Sequence, residues 1–111
     1  MVNRAKAVGT EWENRCVKKL KSWGWPYAER KAQQGALDKG DLTGLGIPIV
    51  VECKGGKKFS LAQYQKELRA EMKNAQVEMG FVWVKAPGKS IDNSYCVVPP
   101  EVMELFLEMM R

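Results

Sequence analysis

Residues 38–60 read DKGDLTGLGIPIVVECKGGKKFS, and the fold turns on this stretch. The β-branched run Ile49-Val50-Val51 leading to Lys54 predicts a strand over 47–54, and Asp41 to Leu45 predicts another. Gly46 between them marks a hairpin. On a strand, side chains two apart share a face, so Glu52 and Lys54 point one way while Val51 and Cys53 enter the opposite layer. Gly55-Gly56-Lys57-Lys58 forms a turn, and Ser60 with Gln63 three residues later is a capping box that opens a helix.

Working outward, Ala5, Val8, Trp12, Cys16, Leu20 and Trp23 recur at helical spacing until Gly24 and Pro26 stop the pattern, which predicts an amphipathic first helix. Trp25 to Arg30 can form a short strand that Pro26 restricts to an edge or a beginning, and Gln33-Gln34-Gly35 is a loop. After Ser60, a buried stripe of Leu61, Tyr64, Leu68, Met72, Ala75 and Met79 predicts the second helix, with Gly80 as its C′ residue. Phe81 to Lys85 and Tyr95 to Val98 are strands joined by a Pro-Gly loop over 86–93, and Pro99-Pro100 introduces a last helix. The expected class is α/β, in the order α-β-β-β-α-β-β-α, as one domain over 1–111.

The chain has 111 residues, 18 Lys+Arg against 13 Asp+Glu and a net charge of +5. This balance favours a polyanionic partner. Histidine is absent. That excludes His-ligated metal chemistry, Ser-His-Asp triads and Cys-His pairs, and leaves catalysis to carboxylates, Lys and metal. Cys16, Cys53 and Cys96 lie far apart with no CxxC pair, so neither a disulfide framework nor a zinc ribbon is expected. No apolar run approaches the roughly 20 residues that span a bilayer, and residues 1–6 lack the apolar stretch of a signal peptide. The expectation is a cytoplasmic protein with no membrane contact.

Metal-assisted phosphodiester hydrolysis needs carboxylates for the ion, an activated water and a cation near the developing charge. Asp41, Glu52 and Lys54 supply these groups, Asp41 standing 11 positions before Glu52. A lone ExK is more often a solvated ion pair. The apolar run entering this one, the Gly-Gly leaving it and the upstream acid favour a site instead. Asp38, three residues before Asp41, is an alternative ligand. On the first helix, Glu13 sits at the border of the buried stripe, where a carboxylate can face the sheet, whereas Glu11 faces water.

These segments resemble the archaeal-type Holliday junction resolvases and their phage relatives, within the PD-(D/E)XK nuclease superfamily. The likeness is carried by Gly9 with Glu13, by Asp38-Lys39-Gly40-Asp41-Leu42, by Val50-Val51-Glu52-Cys53-Lys54 and by Ser60-Leu61-Ala62-Gln63. Gly40 stands where the superfamily name has Pro. The resemblance implies a restriction-endonuclease-like core, with a mixed central sheet flanked by helices plus a C-terminal helix. It further implies Mg²⁺ (or Mn²⁺) held by Asp41, Glu52 and Glu13, with Lys54 orienting water or phosphate. A homodimer that resolves four-way DNA junctions by paired symmetric nicks is also implied. Action on flaps or forks, or a non-catalytic nucleic-acid-binding module, are the alternatives.

Arg30, Lys31, Lys39, Lys57, Lys58, Lys85 and Lys89 flank the proposed site in sequence and would contact phosphate without reading bases. Gln63 and its neighbour Gln65 could add contacts at the start of the second helix. Trp12, Trp23, Trp25 and Trp83 are expected in the core. The last helix spreads Val102, Met103, Leu105, Phe106, Leu107, Met109 and Met110 over roughly 200° at 100° per residue. It is either deeply buried or shared with another subunit.

Overall fold

The computed structural model describes residues 4–32, 37–56 and 59–111. Lys57, Lys58 and the expected loop at Gln33-Gln34-Gly35 lie outside the described residues. The elements follow in the order α1 (Arg4–Ser22), β1 (Glu29–Arg30), β2 (Leu42–Thr43), β3 (Ile49–Lys54), α2 (Leu61–Ala75), β4 (Met79–Val84), β5 (Tyr95–Val97) and α3 (Pro100–Met109), with a 3-10 turn at Ile91–Asn93. A mixed sheet in the order β3-β4-β5 has β3 parallel and β5 antiparallel to β4.

Strand alternation divides the core into two layers. Val51 and Trp83 face α1 and pack with Trp12, Cys16 and Leu20, while Cys53 packs against the same cluster. Val50, Val82 and Val84 face the other way, onto Tyr64, Leu68 and Met72 of α2 and Val102 of α3. Burying each such side chain contributes about 1.5–3 kcal/mol. The Trp12 indole N–H donates to the Trp83 carbonyl at 3.0 Å, tying α1 to β4 where both are buried.

The expected hairpin around Gly46 does not form. β2 pairs antiparallel with β1 instead, Arg30 opposite Leu42, in a separate two-stranded sheet. Gly44 explains the choice. Its φ is +89°, and a Cβ there would lie 1.9 Å from the Tyr27 carbonyl oxygen, so the chain leaving β2 presses on the segment before β1. Toward β3 only a remnant of pairing survives, the Asp41 N–H donating to the Val51 carbonyl at 2.9 Å. Pro48, which has no N–H, precedes β3.

Three other expectations need correction. Helix α2 ends at Ala75, with Gln76 in the left-handed region (φ 57°) and its N–H on the Lys73 and Met72 carbonyls. Met79 and Gly80 belong to β4, where Gly80 lets the strand approach Met72 and Leu68 closely. Trp23 is not a core residue: it lies just past the end of α1 and is 56% exposed, one ring face stacked on Trp83 at 5.4 Å. Trp25 is half-buried, and Trp12 and Trp83 are buried as expected.

The open question about the last helix resolves toward exposure. Val102 is buried, Leu105 and Phe106 are half-buried, and Leu107 and Met110 are 62% and 83% exposed. Among the described residues, no helix is long and apolar enough to cross a membrane.

Candidate metal centre

Helix α2 lies over β3 with opposite chain direction, as its contacts show: Lys54 meets Glu67, Glu52 meets Glu71, and Gly80 beside Val50 meets Met72. Two strand residues advance about 6.6 Å and four helix residues about 6 Å, so every second residue of β3 faces every fourth residue of α2. The E-x-K of β3 is therefore matched by E-x-x-x-E on α2. Glu52 lies under Glu71, and Lys54 lies under Glu67.

The segment 38–41 reaches the open edge of β3 through Gly40. This glycine is buried with φ +103°, and a Cβ on it would stand 2.9 Å from Val50 Cγ1 and 3.2 Å from the Val51 carbonyl oxygen. A residue without a side chain is required there. The Asp38 carboxylate accepts the Gly40 N–H at 2.9 Å, and the Asp38 carbonyl accepts from the Asn74 side chain of α2 at 2.9 Å. Asp41 turns its carboxylate onto β3, where Oδ2 accepts the Cys53 N–H at 2.8 Å. A side-chain oxygen thus continues, for one step, the pairing that the backbone abandons.

These placements gather acid. Asp38, Glu52 and Glu71 each present a carboxylate oxygen within 4.8 Å of the others. The Asp41 carboxylate lies beside Glu52 as well. Glu52 and Glu71 are each 4% exposed, and the Oε2 atom of each has no hydrogen-bond partner among the described residues. Burial raises the Glu52 carboxyl far above the usual range, and its contacts with Asp41 and Glu71 raise it further. Glu71 is also raised, first by burial and then by the charges of Asp38 and Asp41, against a lowering by its hydrogen bond with Glu52. Two like charges 4 Å apart repel by about 4 kcal/mol at an effective dielectric of 20. A cation or a proton must offset this repulsion, and oxygen-only donors suit a hard divalent cation such as Mg²⁺. The residues present fit such an ion.

Lys54 extends the site toward the C-terminal ends of β3 and β4. Its ammonium pairs with Glu67 Oε2 at 2.5 Å and lies 5.4 Å from the Tyr64 ring centroid. Burial lowers its pKa, but Glu67, Glu52 and Asp41 more than compensate, so the group stays a cation.

Glu13 occupies the opposite layer. It is partly buried where Glu11 is exposed, the order expected from helix phase. Its carboxylate pairs with Arg30 at 3.4 Å, and its pKa is raised by burial and by Asp41, with Arg30 opposing. Glu13 thus senses Asp41 across the seam between the layers, but it is not in the compact group of Asp38, Glu52 and Glu71.

The basic residues expected to meet phosphate are spread around this centre. Arg30 is committed to Glu13 and lies 3.5 Å from the Thr10 hydroxyl. Lys31 and Lys39 line a cleft beside β2, and the Lys31 N–H donates to the Asp41 carbonyl. Lys85 joins the Lys54 end of the sheet through its N–H on the Lys54 carbonyl at 2.9 Å, with Lys89 exposed in the turn beyond. Gln63 donates its backbone N–H to Ser60, but its side chain turns to Glu67 at 3.2 Å, so only half of the capping box forms.

Glu71, Glu67 and Asn74 were not singled out in the sequence. Glu71 carried a readable signal: it stands beside Leu68 and Met72 on the buried face of α2, where an unpaired carboxylate is costly.

No family model, curated protein or solved structure matches this chain.

Proposed function

We propose that this chain is a divalent-metal-dependent endonuclease of restriction-endonuclease-like type that resolves four-way DNA junctions by paired symmetric nicks. The observation that carries the metal-dependent reading is the close group of exposed Asp38 with buried Glu52 and Glu71, with orphaned oxygens on both glutamates and the cation of Lys54 alongside. Buried carboxylates held this close are costly to keep unless a cation joins them.

In this reading Glu52, Glu71 and Asp38 hold Mg²⁺, with Mn²⁺ as a substitute, and Asp41 supports Glu52 from the strand edge. The bound ion supplies an activated water and polarises the scissile phosphate. Lys54 places positive charge where the phosphoryl oxygens gain negative charge. Glu13 steadies Arg30 at the entrance, and Lys31, Lys39, Lys85 and Lys89 bind the flanking phosphates. The choice of a branched substrate rests on the resemblance of the Asp38–Leu42 and Val50–Lys54 segments to junction resolvases.

Incubation with a labelled immobile four-way junction tests the proposal. Paired symmetric nicks are expected in Mg²⁺ and none in EDTA. Cleavage of flap or fork DNA without junction products would keep the nuclease and discard the resolvase. Binding without any cleavage would leave a nucleic-acid-binding module.

A junction with two-fold symmetry calls for two copies of the chain, and the apolar side of α3 offers them a contact. Met103, Leu107 and Met110 recur at i, i+4 and i+7 and are all exposed. Light scattering is expected to give twice the 12.6 kDa chain mass. Leu107→Glu should shift the protein toward monomer and suppress paired nicking more than single nicks. A wild-type monomer with no dimerisation on DNA would remove the two-copy account.

A further inference from the structure

We propose that Glu67 is a positioning residue that fixes the Lys54 ammonium in its working place, a role that rests on the reading of Lys54 as the cation facing the scissile phosphate. A lysine carries its charge on a flexible four-carbon stem, and ordering it costs rotamer freedom. Here that cost is met before any substrate arrives. Glu67 Oε2 takes the ammonium at 2.5 Å, and the Tyr64 ring lies 5.4 Å away. The Gln63 side chain donates to the other oxygen, Glu67 Oε1, at 3.2 Å.

Gln63, Glu67 and Glu71 succeed one another at four-residue spacing, so one stripe of α2 serves both members of the E-x-K pair. The stripe splits by task. Glu71 adds its carboxylate to the acidic group, whereas Glu67 lies outside that group and spends its charge on Lys54. The Lys54 side chain keeps 27% of its surface open, which leaves the ammonium able to meet a phosphate while Glu67 holds it. Carboxylate and lysine together present a localised charge instead of a wandering one.

The test is single-turnover cleavage of DNA in Mg²⁺ by the full chain carrying Glu67→Ala, Glu67→Gln, Lys54→Met and Lys54→Met with Glu67→Ala. Glu67→Ala should lower the maximal rate at saturating DNA about 10- to 100-fold, with DNA affinity and the Mg²⁺ concentration for half-maximal rate nearly unchanged. Glu67→Gln keeps an oxygen for Lys54 and should recover part of the rate. In the Lys54→Met background Glu67→Ala should cost nothing further, the non-additivity expected of a residue acting through another. A wild-type rate in Glu67→Ala, a faster rate, or full additivity with Lys54→Met would each overturn the proposal. If Glu67→Ala fails to fold, Glu67→Gln decides by the same comparison. Absence of cleavage by the wild-type chain would remove the nuclease reading together with this one, whereas a cleaving wild type with an unaffected Glu67→Ala removes this one alone.

Discussion

Glu52→Gln is expected to abolish Mg²⁺-dependent cleavage, by at least about a thousandfold or some 4 kcal/mol of barrier, while leaving the metal-free fold as stable as the wild type or more so. The two effects share a cause. Glu52 sits at the middle of the acidic group, in contact with Asp41 and Glu71 and almost wholly buried. A neutral amide of the same shape removes the like-charge repulsion and gives its NH₂ two carboxylates to donate to. The same amide is a poor ligand for a hard cation. Thermal unfolding in EDTA and in Mn²⁺ separates the terms: the wild type should gain stability on adding Mn²⁺ and the variant should not. A variant that unfolds more easily in EDTA yet still cuts DNA would reverse the role given to Glu52.

The second large effect is expected at Glu71, which sequence patterning alone did not nominate. Glu71→Gln should raise the Mn²⁺ concentration for half-maximal cleavage about 10- to 100-fold, the scale of losses seen when a metal site loses support. Part of the rate should return at saturating metal, because Asp38 and Glu52 remain. Glu78→Gln is the matched control on an exposed carboxylate in the bend between α2 and β4. Equal responses of Glu71→Gln and Glu78→Gln would place Glu71 among structural residues of the core.

The sequence carried the layer arrangement well and the site only in part. Period-two alternation through Val50, Val51, Glu52, Cys53 and Lys54 assigned each side chain to its layer, because a β-branched strand covered on both faces leaves no other register. Ser60 marked the start of α2 through a local hydrogen bond. What escaped depended on contacts distant in sequence. The pairing of β2 with β1 is decided by Gly44 pressing on the Tyr27 carbonyl, an approach between segments that no local pattern encodes. Gln76 closes α2 in the left-handed conformation without the glycine that usually signals it. Trp23 falls on the apolar stripe of α1 but lies past its last turn, where the ring stacks on Trp83 and keeps its other face in solvent. Glu67 and Glu71 come beside Lys54 and Glu52 only once α2 is laid antiparallel on β3, since that step brings four-residue and two-residue spacings into register.

The claim on which the account stands is that the carboxylates of Asp38, Glu52 and Glu71 hold a divalent cation. Titration of the protein with Mn²⁺, followed by loss of the free-ion electron paramagnetic resonance signal, measures this without DNA and without catalysis. The wild type should bind Mn²⁺ saturably at neutral pH and release it to excess Mg²⁺, and Glu52→Gln and Glu71→Gln should bind it far more weakly. Failure of the wild type to bind at millimolar Mn²⁺, or binding unchanged in both variants, would contradict the account.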